Sequence, residues 1–420
     1  ATIDYESISA EVAWELNLPL PPNYDFMYVS NGSSATAAMF HFLHESGIEF
    51  GRNFIDIGYN KECFIWYYNS LKTQNNGQNI FFSYTTPLVA YPTSTHFINS
   101  LPKKTPLLYI ARDPIEKLQH AINHTVDGAE TIPLMRQCNL TYDYKKILRK
   151  DTYWGGGDIP TFNILENLSD HIVLGKLICD SLLQALTAKT TFIHCVEFND
   201  LKGDRAFETF IQLSDIFGFK KPQNKKIFTN RINRTRGTLA ALPILLYVHN
   251  DDVNNCFKDG QLNKENLISL NKKGGFNIII TLPHYLTYFD GTQEDFVDIS
   301  YEIYPDLRID DTQVLVIIKK DEFFKLKKNA KLLSVALEYL KGFINLLQTH
   351  TLNLQKNFIN EQQILEYFRA KDKVRKKIKK ILDNELNYIK EHHPNFIEKW
   401  KYYLEFEKMC AELDGKKDEK

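Results

Sequence analysis

The sequence predicts an α/β protein with a mainly parallel sheet, plus an accessory β region and a C-terminal helical region. Three observations carry this. Between about residues 24 and 240, short apolar runs alternate with amphipathic, helix-compatible stretches, the pattern of βαβ units whose strands pair in parallel. From 241 to 320, strand-like runs follow one another with polar loops between them. From about Asp321 to Leu413 the chain is nearly all helix-compatible. The expected division is therefore an α/β region 1–240, a β-rich region 241–320 and a helical region 321–420. A chain of 420 residues is long enough to bury a large core.

The elements follow in order. Phe26–Ser30 is a short apolar strand that passes through Asn31-Gly32-Ser33-Ser34 into a helix, Ala35–Glu45, with apolar spacing at Ala38, Met39, Phe42 and Leu43. Gly47 stops it. Asn53–Ile57 and Ile80–Tyr84 read as strands, with a polar loop, Lys72–Asn79, before the second. Leu107–Ala111 is a buried-type strand broken by Arg112-Asp113-Pro114, and Ile115–His124 is a helix with proline at its tolerated N-terminal position. Tyr153–Pro160, with three glycines, is a loop. Asp170–Leu186 is one amphipathic helix, Thr191–Glu197 a strand, and Ala206–Phe217 a helix ended by Gly218. Leu242–Val248, Phe276–Leu282, Val297–Ile303 and Gln313–Ile318 are strands, and Lys331–Leu347 carries a dense apolar helical face.

Composition narrows the function. Net charge is −1, so no global attraction to nucleic acid is expected, and any basic site must be local. The six cysteines are scattered with no CxxC pair, which points away from a zinc ribbon and toward reduced thiols and a cytoplasmic chain; no metal site is expected. No apolar stretch reaches the length of a membrane span, and the first residues lack the pattern of a signal peptide. Lys, Asn, Ile, Phe and Tyr are abundant, as in proteins of AT-rich bacteria. The basic run Arg369–Lys380 is either the solvated face of a helix or a peripheral contact for an anionic surface.

Two segments carry chemistry. A strand entering a small-residue turn that opens a helix offers backbone N–H groups and a positive helix end to a phosphate or sulfate; Ser30, Asn31, Gly32, Ser33, Ser34 and Thr36 line that turn. It is not a Walker A sequence, and read alone it is equally an ordinary polar turn. Arg112 ends a strand at the rim where ligands bind in open α/β sheets, and its guanidinium suits a phosphate; the alternative is a structural pair with Asp113 or Glu116. His96 has the proton affinity of a general base, with Glu62 and His124 as further candidates. Trp154 and the glycine loop suit an acceptor-side lid or a plain connector, whereas Phe64–Tyr68 reads as core.

The order of these segments resembles the sulfotransferase family, over roughly residues 24–240. Ser30–Thr36 stands where that family holds the 5′-phosphosulfate of 3′-phosphoadenosine 5′-phosphosulfate (PAPS). Thr95-His96 followed by Leu101-Pro102 is similar to the family's Thr-His stretch, which makes His96 the implied catalytic base. Arg112-Asp113-Pro114 matches the signature that binds the donor 3′-phosphate. Val196–Leu201 and Phe210–Phe219 resemble the strand end and helix that follow, and Arg231–Gly237, with Arg234 and Arg236, lies where the family carries a basic donor loop. Two positions depart from the pattern: Asn31 stands near the family's loop cation, and His120 replaces a phosphate-binding serine. The resemblance implies a P-loop-like, three-layer α/β domain that binds a nucleotide donor, PAPS, and moves a sulfuryl group to a hydroxyl of a carbohydrate acceptor, in a capsule or surface glycan. The departures keep open another nucleotide-linked donor, of phosphoramidate or of sugar, and a non-catalytic P-loop-like binding module. His120 is a candidate to contact the donor phosphate or to act as an acid beside it.

Overall fold

A computed structural model describes residues 3–49, 60–73, 78–84, 94–125, 135–148, 152–166, 171–232, 238–255, 274–288 and 295–415. The alternating first half folds into a five-stranded sheet of β1 (Phe26–Ser30), β2 (Ile48–Glu49), β3 (Gln78–Tyr84), β4 (Thr105–Ala111) and β6 (Thr190–Glu197) in the order β2-β3-β1-β4-β6. Every pairing in it is parallel. Alternate residues of the central strands face opposite sides. Met27, Val29, Leu107 and Tyr109 meet Phe64, Leu118, Leu177 and Leu182 on one face. Phe26, Tyr28, Leu108 and Ile110 meet Phe42, Leu43, Phe210 and Phe217 on the other. Helices therefore cover both faces, the condition under which a parallel sheet is stable.

A second five-stranded sheet has the order β5-β7-β8-β12-β9. It joins β5 (Arg136–Asn139), β7 (Ile244–Val248), β8 (Phe276–Thr281), β9 (Phe296–Asp298) and β12 (Leu315–Lys319). Only β5 and β7 pair in parallel. A two-stranded ribbon, β10 (Arg308–Ile309) and β11 (Thr312–Gln313), turns at Asp310-Asp311, both at positive φ. The long helix Ala330–Lys356 lays Leu332, Ala336, Tyr339, Phe343 and Leu347 on this sheet at three- and four-residue spacing. Each of the buried leucine and phenylalanine side chains contributes about 1.5–3 kcal/mol.

Core membership departs from chain order in two places. Cys138, Leu140 and Ile147, well before residue 240, belong to the second core. The helices Glu361–Ala370, Asp372–Glu385 and Lys401–Gly415 return to the first core through Phe368, Ile378, Tyr403 and Phe406. Carboxylates fasten this return. Asp113 accepts from the N–H groups of Tyr402 and Tyr403, both at 3.1 Å, besides capping its own helix through Ile115 at 2.8 Å. Glu197 accepts from the Trp400 indole at 3.3 Å, and Asn123 both donates to and accepts from the Ile359 backbone.

Three sequence expectations change. The single helix expected over Asp170–Leu186 is two, His171–Leu177 and Asp180–Leu186, because Glu385 takes the N–H groups of Cys179 and Ser181 and opens the chain at that point. The strand expected over Val297–Ile303 ends at Asp298, whose carboxylate accepts from Ser300 N–H and Oγ and bends the chain into a short 3-10 turn. The loop expected over Lys72–Asn79 is shortened at both ends, by a helix reaching Thr73 and a strand starting at Gln78. The strand expected at Asn53–Ile57 lies outside the described residues. The described cysteines are buried, and no disulfide joins them among the described residues. Among the described residues no helix is long and apolar enough to cross a membrane.

Candidate functional site

The topology of the first sheet selects a place for a ligand. From β1 the chain runs through the helix Thr36–Glu45 toward β2 at one edge, and from β4 through the helix Pro114–Ile122 toward β6 at the other. Neighbouring strands β1 and β4 thus send the chain in opposite directions. The crevice beyond their C-terminal ends is where open parallel sheets bind ligands. Ser30–Thr36 follows β1 and Arg112 follows β4, so both stand at that crevice.

The turn after β1 has an uncommon backbone. Ser33 and Ala35 both lie at positive φ, 66° and 60°, although neither is glycine. The left-handed conformation costs such residues roughly 1–2 kcal/mol each. Its effect is to gather successive N–H groups into a concave nest of the kind that binds anions. The N–H groups of Gly32, Ser33, Ser34 and Ala35 donate no hydrogen bond among the described residues, and no side chain caps the helix that follows. Around this nest the hydroxyls are tied down: Ser30 Oγ and Thr36 Oγ1 are 2.5 Å apart, and Ser34 Oγ donates to Asn31 Oδ1 at 2.9 Å. Asn31 is buried, and its amide donates to Tyr109 OH at 2.8 Å, Ile178 O at 3.1 Å and Lys176 O at 3.2 Å. It fixes the turn to β4 and to the broken helix, leaving its amide no free donor for an anion.

Arg112 reaches into the same turn. Its Nη1 donates to Ser33 O at 2.6 Å, its Nε to Glu116 at 3.1 Å, and its guanidinium lies 3.8 Å from the centre of the Phe198 ring. The pair with Glu116 that the sequence offered is therefore present, and the guanidinium is also held against the loop. Burial lowers its proton affinity, and Glu116 and Asp113 oppose that. His120, one turn further along the helix, shares a 3.1 Å hydrogen bond between its Nδ1 and Ser33 Oγ. Its ring is open to solvent, yet the surrounding protein, Arg112, Lys176 and Arg231 push its pKa down to about 3. The part due to the three cations stands on their positions; the burial part is smaller for a ring that solvent reaches. Lys117 is buried with no hydrogen bond or ion pair among the described residues, and burial pulls its ammonium down to about 8. The rim is thus rich in positive charge.

The glycine loop joins this group through His124. The Trp154 indole donates to His124 Nδ1 at 3.4 Å, and the His124 ring lies edge-on to His120 with centroids 5.2 Å apart. His96 is placed elsewhere. It sits on the helix Ser94–Asn99 with its ring centroid 4.1 Å from Trp14, and its described contacts include neither the turn nor Arg112. Glu62 is exposed on the helix Asn60–Thr73. Phe64, Tyr67 and Tyr68 are core residues. Arg234 and Arg236 lie outside the described residues; Arg231 just before them pairs with Asp310 at 2.6 Å. In the basic run, Arg375 is buried between Asp372 and Asp414, and Lys379 pairs with Asp383 and Glu407, so those charges are met from within the fold. Sequence reasoning missed Lys117, Lys176 and Phe198. A lysine beside the apolar positions Ile115, Leu118, Ala121 and Ile122 was a readable signal; Lys176 and Phe198 arrive only through tertiary packing.

Comparison with known proteins gives the family. The chain belongs to the family described as Protein of unknown function (DUF2972), whose model matches residues 195–413, just over half of its length. The matched part holds Phe198, the second sheet apart from β5, and the C-terminal helices, and begins after the turn and Arg112. No curated protein and no solved structure matches the chain.

Proposed function

We propose that this protein is a group transferase with a P-loop-like α/β domain, moving a sulfuryl group from PAPS to a hydroxyl of a carbohydrate acceptor. The observation that carries the reading is one juxtaposition: four open backbone N–H groups in a nest at residues 32–35, with Arg112 held against that nest. Open amides and a buried guanidinium at one rim are what an anionic donor requires. The parallel order β2-β3-β1-β4-β6, with the nest after the central strand β1, supports the P-loop-like assignment. Trp154, connected to the rim through His124, offers a ring face on which a sugar can stack.

In the proposed reaction the acceptor oxygen attacks sulfur in line. The bond from sulfur to the bridging phosphate oxygen breaks, and 3′-phosphoadenosine 5′-phosphate leaves with that electron pair. The nest stabilises the charge that grows on the departing 5′-phosphate, and Arg112 holds the donor's 3′-phosphate. A histidine takes the acceptor proton. Two are in question: His96, the base implied by resemblance, and His120, the imidazole that touches the turn. At neutral pH His120 is unprotonated and able to accept. A second donor class, nucleotide-linked phosphoramidate or sugar, is favoured by one observation: Asn31 stands near the family's loop cation and is fully engaged.

Isothermal titration of the full chain with 3′-phosphoadenosine 5′-phosphate and with cytidine nucleotides tests the donor. Binding of the former, weakened about tenfold or more in Arg112→Ala, is expected from the loss of a charge-assisted contact. Binding of cytidine nucleotides alone moves the assignment to the second donor class. No binding of either class removes the transferase reading in favour of a non-catalytic module. Comparing sulfuryl transfer in His96→Ala and His120→Ala then assigns the base.

A further inference from the structure

An anion in the nest needs a nearby cation to offset the charge that develops during transfer, and the turn contains none: residues 30–36 are Ser, Asn, Gly, Ser, Ser, Ala and Thr. Asn31, nearest to where a loop cation would stand, spends its whole side chain on Tyr109, the carbonyls of Lys176 and Ile178, and Ser34. The helix His171–Leu177 ends against this turn. The Lys176 carbonyl takes the Asn31 amide, and its side chain lies over Gly32: a Cβ at position 32 would stand 3.4 Å from Lys176 Nζ and 3.7 Å from its Cγ. A methyl there would sit in ordinary van der Waals contact with the lysine, and a branched side chain would crowd it.

We propose that Lys176 supplies, from a separate helix, the cation that the turn itself lacks, and that it contacts the phosphoryl or sulfuryl oxygens of an anionic donor held by residues 32–35. This rests on reading the turn as an anion cradle and holds for either donor class. Two observations outside the turn fit it. The field of Lys176 is felt at His120, which is bonded to Ser33 in the same cradle. The end of its helix is set by Glu385, which accepts from Cys179 N–H at 2.9 Å, Ser181 N–H at 3.1 Å and Ser181 Oγ at 2.5 Å. The C-terminal helices thereby position the residue that completes the site.

Inorganic pyrophosphate is the probe, titrated calorimetrically into the full chain. Lys176→Met weakens its binding by about tenfold to a hundredfold, the range of one charge-assisted hydrogen bond. Lys176→Arg retains most of the affinity, and Gly32→Val, which keeps the charge but crowds it, loses about as much as Lys176→Met. If Lys176→Met does not fold, as judged by circular dichroism and melting, the Gly32→Val and Lys176→Arg pair decides. Wild-type protein that ignores pyrophosphate overturns the cradle and this proposal together. Wild-type binding that disappears in Arg112→Gln but stays within about twofold in Lys176→Met, or in Gly32→Val, overturns the role of Lys176 alone and leaves the cradle standing.

Discussion

Among the described residues, non-glycine residues enter the left-handed region at Asn17, at Ser33 and Ala35, and at Asp310-Asp311, and the last two turns hold that backbone differently. In the ribbon turn at Asp310-Asp311 the strain is answered inside the fold. Asp310 accepts from Arg231 at 2.6 Å, Gln355 at 2.6 Å and Thr238 at 2.9 Å, and aspartate is among the residues that tolerate this conformation. In the turn after β1 the Ser33 carbonyl accepts from Arg112 at 2.6 Å and its hydroxyl shares a 3.1 Å hydrogen bond with His120, while the amides of residues 32–35 donate no hydrogen bond among the described residues. One turn is completed by a carboxylate that takes three hydrogen bonds; the other is met by a guanidinium and an imidazole at Ser33. The contrast teaches that the same backbone strain can be secured by side chains of opposite chemistry.

Breaking the complete turn has the largest expected effect. Asp310→Ala removes three hydrogen bonds and strands their donors, and should destabilise the protein by about 3 kcal/mol in urea unfolding. A loss well under 1 kcal/mol would erase the contrast. The aspartate at the rim sharpens it. Burial raises Asp113 to about 6 from an ordinary 3.8, so between those values the folded state binds more protons than the unfolded one. Its contribution is full below pH 3.8 and is lost as pH rises through 6. Urea midpoints of wild type and Asp113→Asn should therefore diverge by about 2–3 kcal/mol between pH 4 and pH 7, in favour of the variant at the higher pH.

Next comes Lys117→Met. Removing a buried unpaired ammonium stabilises a fold, here by about 2 kcal/mol, while it should weaken pyrophosphate binding. Stabilisation with unchanged binding would make Lys117 a packing residue only. The smallest effect is that of Ala35→Gly, which relieves a positive φ and should raise stability by about 1 kcal/mol. The opposite sign at Ala35 would show that its conformation is held without strain.

Much of the first sheet was legible in the sequence, because its strands are short apolar runs bounded by Gly, Pro and polar turns. Phe26–Ser30 and the helices at Thr36–Glu45 and Asp204–Phe217 fall within two residues of their expected bounds. The convergence of Ser33 with Arg112 was legible from strand ends alone. Three things were not. The break at Ile178–Cys179 is imposed by Glu385, more than two hundred residues away, and nothing local announces it. The left-handed backbone sits at Ser33 and Ala35, where the usual signal would be glycine. His96 matched a motif by order, but the helix that carries it presents its ring to Trp14.

The carboxylates that fasten the C-terminal helices have a consequence for synthesis. Residue 31 emerges from the ribosome long before residues 385, 400 and 402, yet it is their groups that meet Cys179, Glu197 and Asp113. A nascent chain can form the parallel strands early but holds Asp113 and Glu197 uncovered, with Lys176 unanchored, until that distal segment docks. Translation order thus delays completion of this rim, and a fragment stopping before residue 372 would carry the turn without the segment that fastens the end of the Lys176 helix.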